Sequence, residues 1–186
     1  MKKKVILISI IVIIMGVILV LRLSSPEDTW ICTNNVWIKH GKPDPTPPIL
    51  GCGENQQINL YYYNSKLDTD ATGNIACSKK GIVSVSRTIP KTTTPIEDTI
   101  RLLLQGKILS DENVQGITSE FPLPEVSLTG LNLENGVLTL SFNDPQNKTS
   151  GGSCRSGILW FQIEATAKQF SEVKSVKFTP DSLFQP

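Results

Sequence analysis

One uncharged, strongly apolar run lies near the start of the chain. It extends over residues 5–21, with Lys2, Lys3 and Lys4 before it and Arg22 after it. A helix rises about 1.5 Å per residue, so 17 residues are close to the shortest run that crosses a hydrocarbon core of about 30 Å. The pattern predicts a transmembrane signal anchor over residues 1–23.

The residues around this run predict its orientation. The basic residues before it favour a cytoplasmic N-terminus, which places everything after Arg22 outside the cytoplasm. A cleaved signal peptide is the alternative, and it would need small residues at its cleavage site. Pro26 disfavours cleavage after Ser25, and cleavage after Ser24 would leave Arg22 close to the cut. We therefore expect a single-pass protein of the cell membrane with an extracytoplasmic C-terminal domain.

Further along, apolar positions follow the period of two, which is typical of strands. Ile58, Leu60 and Tyr62 alternate with residues of more polar character, and a second extended segment covers residues 82–89. The segments 126–133 and 137–142 are separated by Asn135-Gly136, a dipeptide that favours the positive φ angles of a tight hairpin turn. Residues around Val176 predict a last strand.

Two segments show helical periodicity. Thr94 is predicted as an N-cap before Pro95, with Glu97 completing a capping box and Gly106 ending the helix. A second helix is predicted from Ser153. Its inward face is expected to contain Leu159, Trp160, Ile163, Thr166, Ala167 and Phe170.

The order of these elements predicts an α+β fold. We expect a two-layer sandwich in which two helices pack on one face of a mixed β-sheet, preceded by the single transmembrane helix. The domain is predicted to cover residues 56–186. Residues 24–55 are predicted to form a Pro-rich linker that contains a loop closed by a Cys32–Cys52 bond.

The charge composition excludes a strongly basic nucleic-acid-binding surface. The 186 residues contain 18 Lys and Arg against 17 Asp and Glu, a net charge of +1. Without the four basic residues that flank the apolar run, the balance is 14 − 17 = −3. So small a charge does not steer a charged ligand.

Four cysteines lie in the part predicted to be outside the cytoplasm, where paired thiols oxidise and persist. Three connectivities are possible. The sequential one pairs Cys32 with Cys52 and Cys77 with Cys154, and it fits the predicted domain boundary. A metal site is disfavoured because the chain has no C-x-x-C pair and only one histidine, His40. We expect no metal and no cofactor.

Four aromatic residues are candidates for contact with a partner or a glycan. They are Trp30 and Trp37 in the linker and Tyr61 and Tyr63 on the first strand of the domain. Simpler interpretations exist for all four. Trp30 would lie near the lipid headgroups, Trp37 would cover the core of the linker loop, and the tyrosines would line a sheet surface.

Several segments resemble the GerMN domain, a sporulation and spore-germination module. The resemblance extends over about residues 56–180. The similar segments are 58–64, 87–90, 102–106, 138–142, 151–155, 163–170 and 173–176. The chain departs from the family pattern at Lys107, where a proline is usual, and at Thr179-Pro180-Asp181, where a Gly-containing turn is usual.

This resemblance implies a bacterial protein that is anchored on the outer face of the cytoplasmic membrane. The founding member of the family helps to assemble an envelope complex and has no known catalysis, so the family gives no catalytic residue to transfer. The resemblance therefore implies a non-catalytic interaction or assembly module. Its partner would be an envelope protein or a second copy of the chain.

Two other classes of function remain open. A cell-wall glycan-binding protein would use the aromatic candidates to bind peptidoglycan. A thiol enzyme would use Cys154, which follows two glycines at a predicted helix N-terminus beside Arg155. The lack of a histidine near this cysteine favours a disulfide over a catalytic thiol.

Overall fold

The computed structural model describes residues 28–34, 36–43, 45–48 and 52–185. The strands are β1 Thr29–Thr33, β2 Val36–His40, β3 Asn55–Asn64, β4 Ile82–Pro90, β5 Ile117–Thr118, β6 Ser127–Glu134, β7 Val137–Asn143 and β8 Ser175–Thr179. The helices are α1 Pro95–Leu103, α2 Ser110–Val114 and α3 Ser153–Lys168, with 3-10 turns at Ser65–Leu67 and Lys79–Gly81.

The strands form three separate sheets. The hairpin β1–β2 stands by itself, β4-β3-β5 is antiparallel throughout, and β6-β7-β8 combines an antiparallel pair with the parallel pair β7–β8. The α+β class is confirmed. The prediction of one mixed sheet is wrong, because the mixed hydrogen bonding belongs to only one of two three-stranded sheets.

Helix α3 and the residue that follows it complete one edge of β3. The edge of β3 that β4 leaves free is hydrogen-bonded along part of its length by side chains of α3. The Asn59 N–H donates to Gln169 Oε1 at 2.8 Å, and Gln169 Nε2 donates to the Asn59 carbonyl at 2.7 Å. The Tyr61 N–H donates to Thr166 Oγ1 at 3.1 Å. The glutamine amide thus takes the place of a peptide group in a neighbouring strand.

The hairpin β6–β7 has the predicted turn. Asn135 and Gly136 have φ angles of 51° and 81°, and Glu134 pairs with Val137 directly beside the turn. The register shifts once, between Leu128 and Gly130. The alternating residues Leu138, Leu140 and Phe142 of β7 are buried, as their spacing predicts.

Helix α1 begins and ends as predicted, but its N-terminus lacks the capping box. Thr94 makes no side-chain bond to the backbone; its hydroxyl donates to Asp98 Oδ2 at 3.2 Å. Glu97 instead accepts two hydrogen bonds from Arg101, one turn later, at 2.9 and 2.7 Å. The ion pair therefore takes the carboxylate that the capping box would have used.

A single apolar cluster fills the domain between the sheets and the helices. Helices α1 and α3 pack against each other and both pack on β3, as expected for a helical layer. The cluster also includes Phe184 from the C-terminal turn, which is fully buried. Its ring lies 5.3 Å from that of Phe142 and 4.8 Å from that of Phe178, measured between centroids.

The predicted signal anchor, residues 1–23, lies outside the described residues. Within the part of the chain that the structure does describe, no helix has the length and apolar character needed to cross a bilayer. The predicted linker is described in part, and it contains the hairpin β1–β2. Strand β3 begins at Asn55, one residue before the predicted start of the domain.

Candidate functional site

A surface depression lies along the outward side of α3. It has a volume of about 690 Å³, and we call it the α3 groove. Its wall combines the loop before β4, the first three turns of α3 and the C-terminal turn. The residues are Ala76, Cys77, Lys79, Ser153, Cys154, Gly157, Trp160, Phe161, Glu164 and Gln185.

Two smaller depressions continue the groove. One, of about 270 Å³, shares Lys79, Phe161 and Glu164 with the groove and adds Tyr61 of β3. The other, of about 240 Å³, shares Trp160 and Gln185 and extends toward β8. Together the three depressions follow α3 from its first turn to Lys168.

Helix α3 supplies the groove because it carries apolar residues on both of its sides. Leu159, Ile163 and Ala167 are fully buried on the inner side. Gly157, Trp160, Phe161 and Glu164 recur at spacings of three and four, so they share the outer side. A helix at a protein surface normally carries polar residues there, as α1 does at Glu97 and Arg101. The aromatic outer side of α3 is therefore the unusual feature of this surface.

Two aromatic rings form the floor of the groove. Trp160 is half-buried, and its ring meets that of Phe178 edge-on at 5.3 Å between centroids. Phe161 is also half-buried, and Lys79 Nζ lies 5.2 Å from the centroid of its ring. The Trp160 ring packs against the apolar cluster, the Phe161 ring lies beside the Lys79 ammonium group, and part of each ring remains open to solvent.

The charges beside the rings are paired. Glu164 accepts from Lys79 Nζ at 2.6 Å and from Lys168 Nζ at 2.7 Å. Burial raises the pKa of this carboxyl, but the two ammonium groups outweigh that effect and hold the pKa below its usual value. Glu164 is therefore ionised at neutral pH, and it bridges the loop before β4 to α3.

A disulfide closes the end of the groove near the N-terminus of α3. Cys77 and Cys154 are bonded, with their Cα atoms 5.1 Å apart, and Cys32 is bonded to Cys52. This is the connectivity that the sequence favours. Cys154 is consequently not a free thiol, and the described residues contain no free cysteine.

A buried carboxylate shapes the loop that carries Cys77 and Lys79. Asp68 is fully buried, and its Oδ2 accepts from the Tyr63 hydroxyl at 2.7 Å and from the Ser78 N–H at 2.6 Å. Burial opposes ionisation, but the hydrogen bonds from Ser78 and Tyr63 outweigh it and hold the pKa of Asp68 below its ordinary range. Burial and this hydrogen bond raise the pKa of the Tyr63 phenol.

The loop before α3 is built in the same way around Asp144. This carboxylate accepts from the backbone N–H groups of Lys148 and Thr149, at 2.8 and 2.9 Å. Burial opposes ionisation, but these bonds outweigh it and lower the pKa of Asp144. Arg155 binds the carbonyl of Lys148 at 2.8 Å and forms an ion pair with Glu120. Through Arg155, contacts with the preceding loop and with Glu120 hold the start of α3, including Cys154, in place.

The four aromatic candidates lie in different environments. Tyr61 lines the extension of the groove. Tyr63 is only 6% exposed and its hydroxyl is bound to Asp68, so it does not present a ring for stacking. Trp30 and Trp37 are half-buried on the hairpin β1–β2, which contributes none of the residues that line the groove. Lys39 Nζ lies 5.4 Å from the centroid of the Trp30 ring.

The sequence predicts that Trp160 packs inward, and its ring does pack against the apolar cluster and Phe178, but the sequence reasoning gave no role to the exposed part of this ring or to Phe161. One signal was available in the sequence. Adjacent residues on a helix are separated by about 100°, so two neighbouring large rings need a wide buried face before both can be fully covered. The pair Trp160-Phe161 therefore indicates that at least one large ring faces outward.

A second polar cluster lies between β4 and the start of α2. Arg87 binds Glu112 with two hydrogen bonds, at 2.5 and 2.7 Å, and Glu112 also accepts from the Leu109 N–H at 2.9 Å. The bonds from Arg87 outweigh burial and lower the pKa of Glu112. The cluster fixes α2 on the sheet. Among the described residues, no group of three or more His, Cys, Asp or Glu is arranged to hold a metal ion.

The geometry defines a small, disulfide-bonded α+β domain with an aromatic surface groove. The family model described as "Germane: Sporulation and spore germination" matches residues 59–182, which are 124 of the 186 residues. The chain therefore belongs to this family of sporulation and spore-germination domains, and the resemblance to GerMN domains noted in the sequence is confirmed.

Solved structures with GerMN domains are similar to this chain. The tandem GerMN domains of the sporulation protein GerM from Bacillus subtilis are 20% identical over 67% of this chain and 38% of that one, with a TM-score of 0.46. The first GerMN domain of the same protein is 17% identical over 66% of this chain and 80% of that one, with a TM-score of 0.45.

A putative lipoprotein from Clostridium perfringens is 12% identical over 67% of this chain and 73% of that one, with a TM-score of 0.34. The comparison with curated proteins finds no match. The chain spans well under half of the tandem GerM structure.

Proposed function

We propose that this protein is a non-catalytic, membrane-anchored interaction module of the bacterial cell envelope, and that it binds a protein partner in the α3 groove. Its domain would act outside the cytoplasm, in an assembly of the kind in which sporulation and germination proteins take part. The partner would offer an apolar side chain to the rings of Trp160 and Phe161, with charges that complement Lys79 and Glu164.

Sequence features support the anchor and the compartment. The uncharged run over residues 5–21 has basic residues before it, which favours an extracytoplasmic domain. All four cysteines are in disulfides, and such bonds persist in oxidising compartments. Membership of the sporulation and germination family supports a role in the envelope.

The observation that carries the interaction role is the aromatic outer side of α3. Phenylalanine and tryptophan each bury about 150–250 Å² when fully covered. At about 25 cal/mol per Å², covering the exposed part of two such rings contributes on the order of a few kcal/mol to binding. Aromatic residues held in place by their inner contacts are typical of interface hot spots, because little side-chain freedom is lost on binding.

Affinity purification from crosslinked native membranes tests this proposal. The bait is the full-length chain, compared with a Phe161→Asp variant and with a Val114→Asp control. Val114 is 81% exposed on α2 and does not line the groove, so the control introduces the same charge at a site outside it. We expect one envelope protein to be enriched with the wild type and with the control, and to be lost with Phe161→Asp.

Two results would contradict the proposal. Recovery of the same envelope protein with Phe161→Asp would remove the groove from the interaction. Extraction of the full-length chain from membranes by alkaline carbonate would contradict the anchor, independently of any partner.

Glycan binding is the second candidate, because the rings of Tyr61, Trp160 and Phe161 lie along one continuous depression beside Gln185. Aromatic faces with amide groups nearby suit a sugar chain. Co-sedimentation of the purified protein with peptidoglycan tests this function. Sedimentation that Phe161→Asp abolishes and Val114→Asp preserves would favour a glycan over a protein as the occupant.

A further inference from the structure

The hairpin β1–β2 has two chemically different faces. Its register pairs Trp30 with Lys39 and Cys32 with Trp37, so these four side chains share one face. The pairs Ile31–Ile38 and Thr33–Val36 lie on the other face, with Thr29–His40 at its open end. We call this second face, defined by Ile31, Val36 and Ile38, the aliphatic face.

The aliphatic face is exposed to an unusual degree. Ile31, Val36 and Ile38 are 41%, 60% and 50% exposed, and they account for three of the seven large hydrophobic side chains exposed among the described residues. None of them belongs to the apolar cluster of the domain. Three exposed β-branched residues on so short a hairpin form a continuous apolar patch, which in a soluble setting favours association.

The disulfide determines which face is available. Cys32 lies on the face opposite the aliphatic one and is bonded to Cys52, which is only 3% exposed at the start of the domain. A two-stranded hairpin is at best marginally stable by itself, and this bond ties it to the folded domain. The bond therefore lies on the face that carries Trp30 and Trp37, and the opposite, aliphatic face is available to contact another surface.

The length of chain before the hairpin limits what that surface is. The apolar run ends at Leu21 and β1 begins at Thr29, eight Cα steps later. At ~3.3–3.6 Å per step, the connection spans at most ~29 Å. The headgroup layer beyond the hydrocarbon core is itself about 5–7 Å thick. The hairpin is therefore held at a high local concentration beside the outer lipid surface.

We infer that the aliphatic face of the hairpin lies on the outer lipid surface of the membrane. Ile31, Val36 and Ile38 enter the boundary between headgroups and acyl chains, and the opposite face turns toward the folded domain. This inference rests on the anchor of the proposed function. It adds a second membrane contact, which restricts how the domain is presented above the bilayer.

Site-specific photocrosslinking in a purified system tests the inference. The full-length protein is reconstituted into vesicles of phosphatidylcholine and phosphatidylglycerol, with p-benzoylphenylalanine replacing Ile38, Lys39 or Val114 in three separate proteins. Lys39 is the matched control, because it is exposed, adjacent in sequence and on the opposite face. Val114 is the control on the domain, where it is 81% exposed.

After irradiation, lipid adducts are quantified by mass spectrometry of the intact protein. We expect at least five times more adduct at position 38 than at position 39, on the order of the contrast between a buried and an exposed face, and still less at position 114. Similar adduct yields at positions 38 and 39 would overturn the inference, because they would show a hairpin that is near the lipid without an orientation. A crosslinked dimer at position 38 in place of lipid adducts would also overturn it, in favour of a second copy.

Alkaline carbonate extraction of the same vesicles separates this inference from the proposed anchor. A chain that resists extraction but forms no lipid adduct at position 38 would overturn the inference alone. A chain that carbonate extracts would overturn both, since the inference depends on the short connection to the anchor.

Discussion

Removal of the Cys77–Cys154 disulfide should destabilise the domain more than any other covalent change in it. The protein to be measured is the double variant Cys77→Ser with Cys154→Ser, in which neither cysteine is left as an unpaired thiol. In the wild type, the bond ties the loop before β4 to the first turn of α3. Its loss frees both walls of the α3 groove at that end.

The expected magnitude follows from the length of the closed loop. The two cysteines are 77 residues apart, and the chain-entropy relation gives about 4.5 kcal/mol for a loop of that size. The bond Cys32–Cys52, with a separation of 20, gives about 3.3 kcal/mol by the same relation. The two values are similar, but the structure predicts that they act on different parts of the molecule. The described residues of the hairpin contribute nothing to the apolar cluster, so the second bond stabilises the hairpin and not the domain.

Hydrogen–deuterium exchange in increasing urea distinguishes the two effects, because it reports each segment separately. The full-length proteins are compared in a mild detergent. For Cys77→Ser with Cys154→Ser, we expect the unfolding midpoint of peptides from β3 and α3 to fall by about 2 M urea, at a slope of about 2 kcal/mol per M. For Cys32→Ser with Cys52→Ser, we expect those peptides to be unchanged and the hairpin amides to exchange rapidly.

One result would contradict the prediction that the two disulfides stabilise different parts of the molecule. If both double variants lower the midpoint of the β3 and α3 peptides by similar amounts, the hairpin unfolds together with the domain. The hairpin would then contribute to the stability of the domain although it lies outside the apolar cluster. A loss below about 1 kcal/mol for Cys77→Ser with Cys154→Ser would show that the denatured chain already holds these segments together.

Three other predictions follow from contacts in the domain. Gln169→Leu should lower the free energy of unfolding in urea by about 1–2 kcal/mol, because it leaves the N–H and carbonyl of Asn59 unpaired at a strand edge. The exposed edge should also promote aggregation, which light scattering measures. Gln169→Glu keeps only the acceptor, so its free energy of unfolding should lie between those of Gln169→Leu and the wild type. Hydrogen bonds from Ser78 and Tyr63 lower the folded-state pKa of Asp68, so the stability it contributes is present above the ordinary pKa of an aspartate and is lost as the pH falls through the lowered folded-state pKa. Urea midpoints at pH 5 and pH 3 should therefore differ less in Asp68→Asn than in the wild type, and equal differences would contradict this. In Gly106→Ala, the added Cβ would collide with the carbonyl oxygen of Phe121, and φ at this position is +61°. The variant should therefore fail to fold or melt more than 10 °C below the wild type, on the order of a cost of several kcal/mol. A melting curve like that of the wild type would exclude the close contact with Phe121.

Local patterns in the sequence predict most of the elements, because local physics determines them. The turn at Asn135-Gly136 needs two positive φ angles and has them, and the alternation along β3 and β7 matches the buried residues. The bounds of α1 agree with its Pro and Gly signals. The cysteine pairing was accessible because the predicted domain boundary lies between the second and the third cysteine.

The predictions that failed concern features that depend mostly on contacts between residues distant in sequence. Gln169 is 110 residues from Asn59, and no local pattern shows that its amide completes a strand edge. The burial of Tyr63 depends on Asp68, which is near in sequence but reaches the hydroxyl only because the intervening 3-10 turn reverses the chain. Glu97 does not complete the predicted capping box because Arg101, one turn along the helix, binds its carboxylate. Phe184 joins the apolar cluster from a C-terminal turn that no periodicity predicts.

The side-chain hydrogen bonds at the edge of β3 have a consequence for how this domain is observed in solution. In a sheet, slow amide exchange normally reports the opening of a strand pair. The amide protons of Asn59 and Tyr61 are donated to side chains of α3 and its C-terminal residue, so they report whether the helix is docked. An NMR spectrum thus contains two internal reporters of α3. A ligand that binds beside Trp160 in the α3 groove should slow their exchange while the amides paired between β3 and β4 remain as they were.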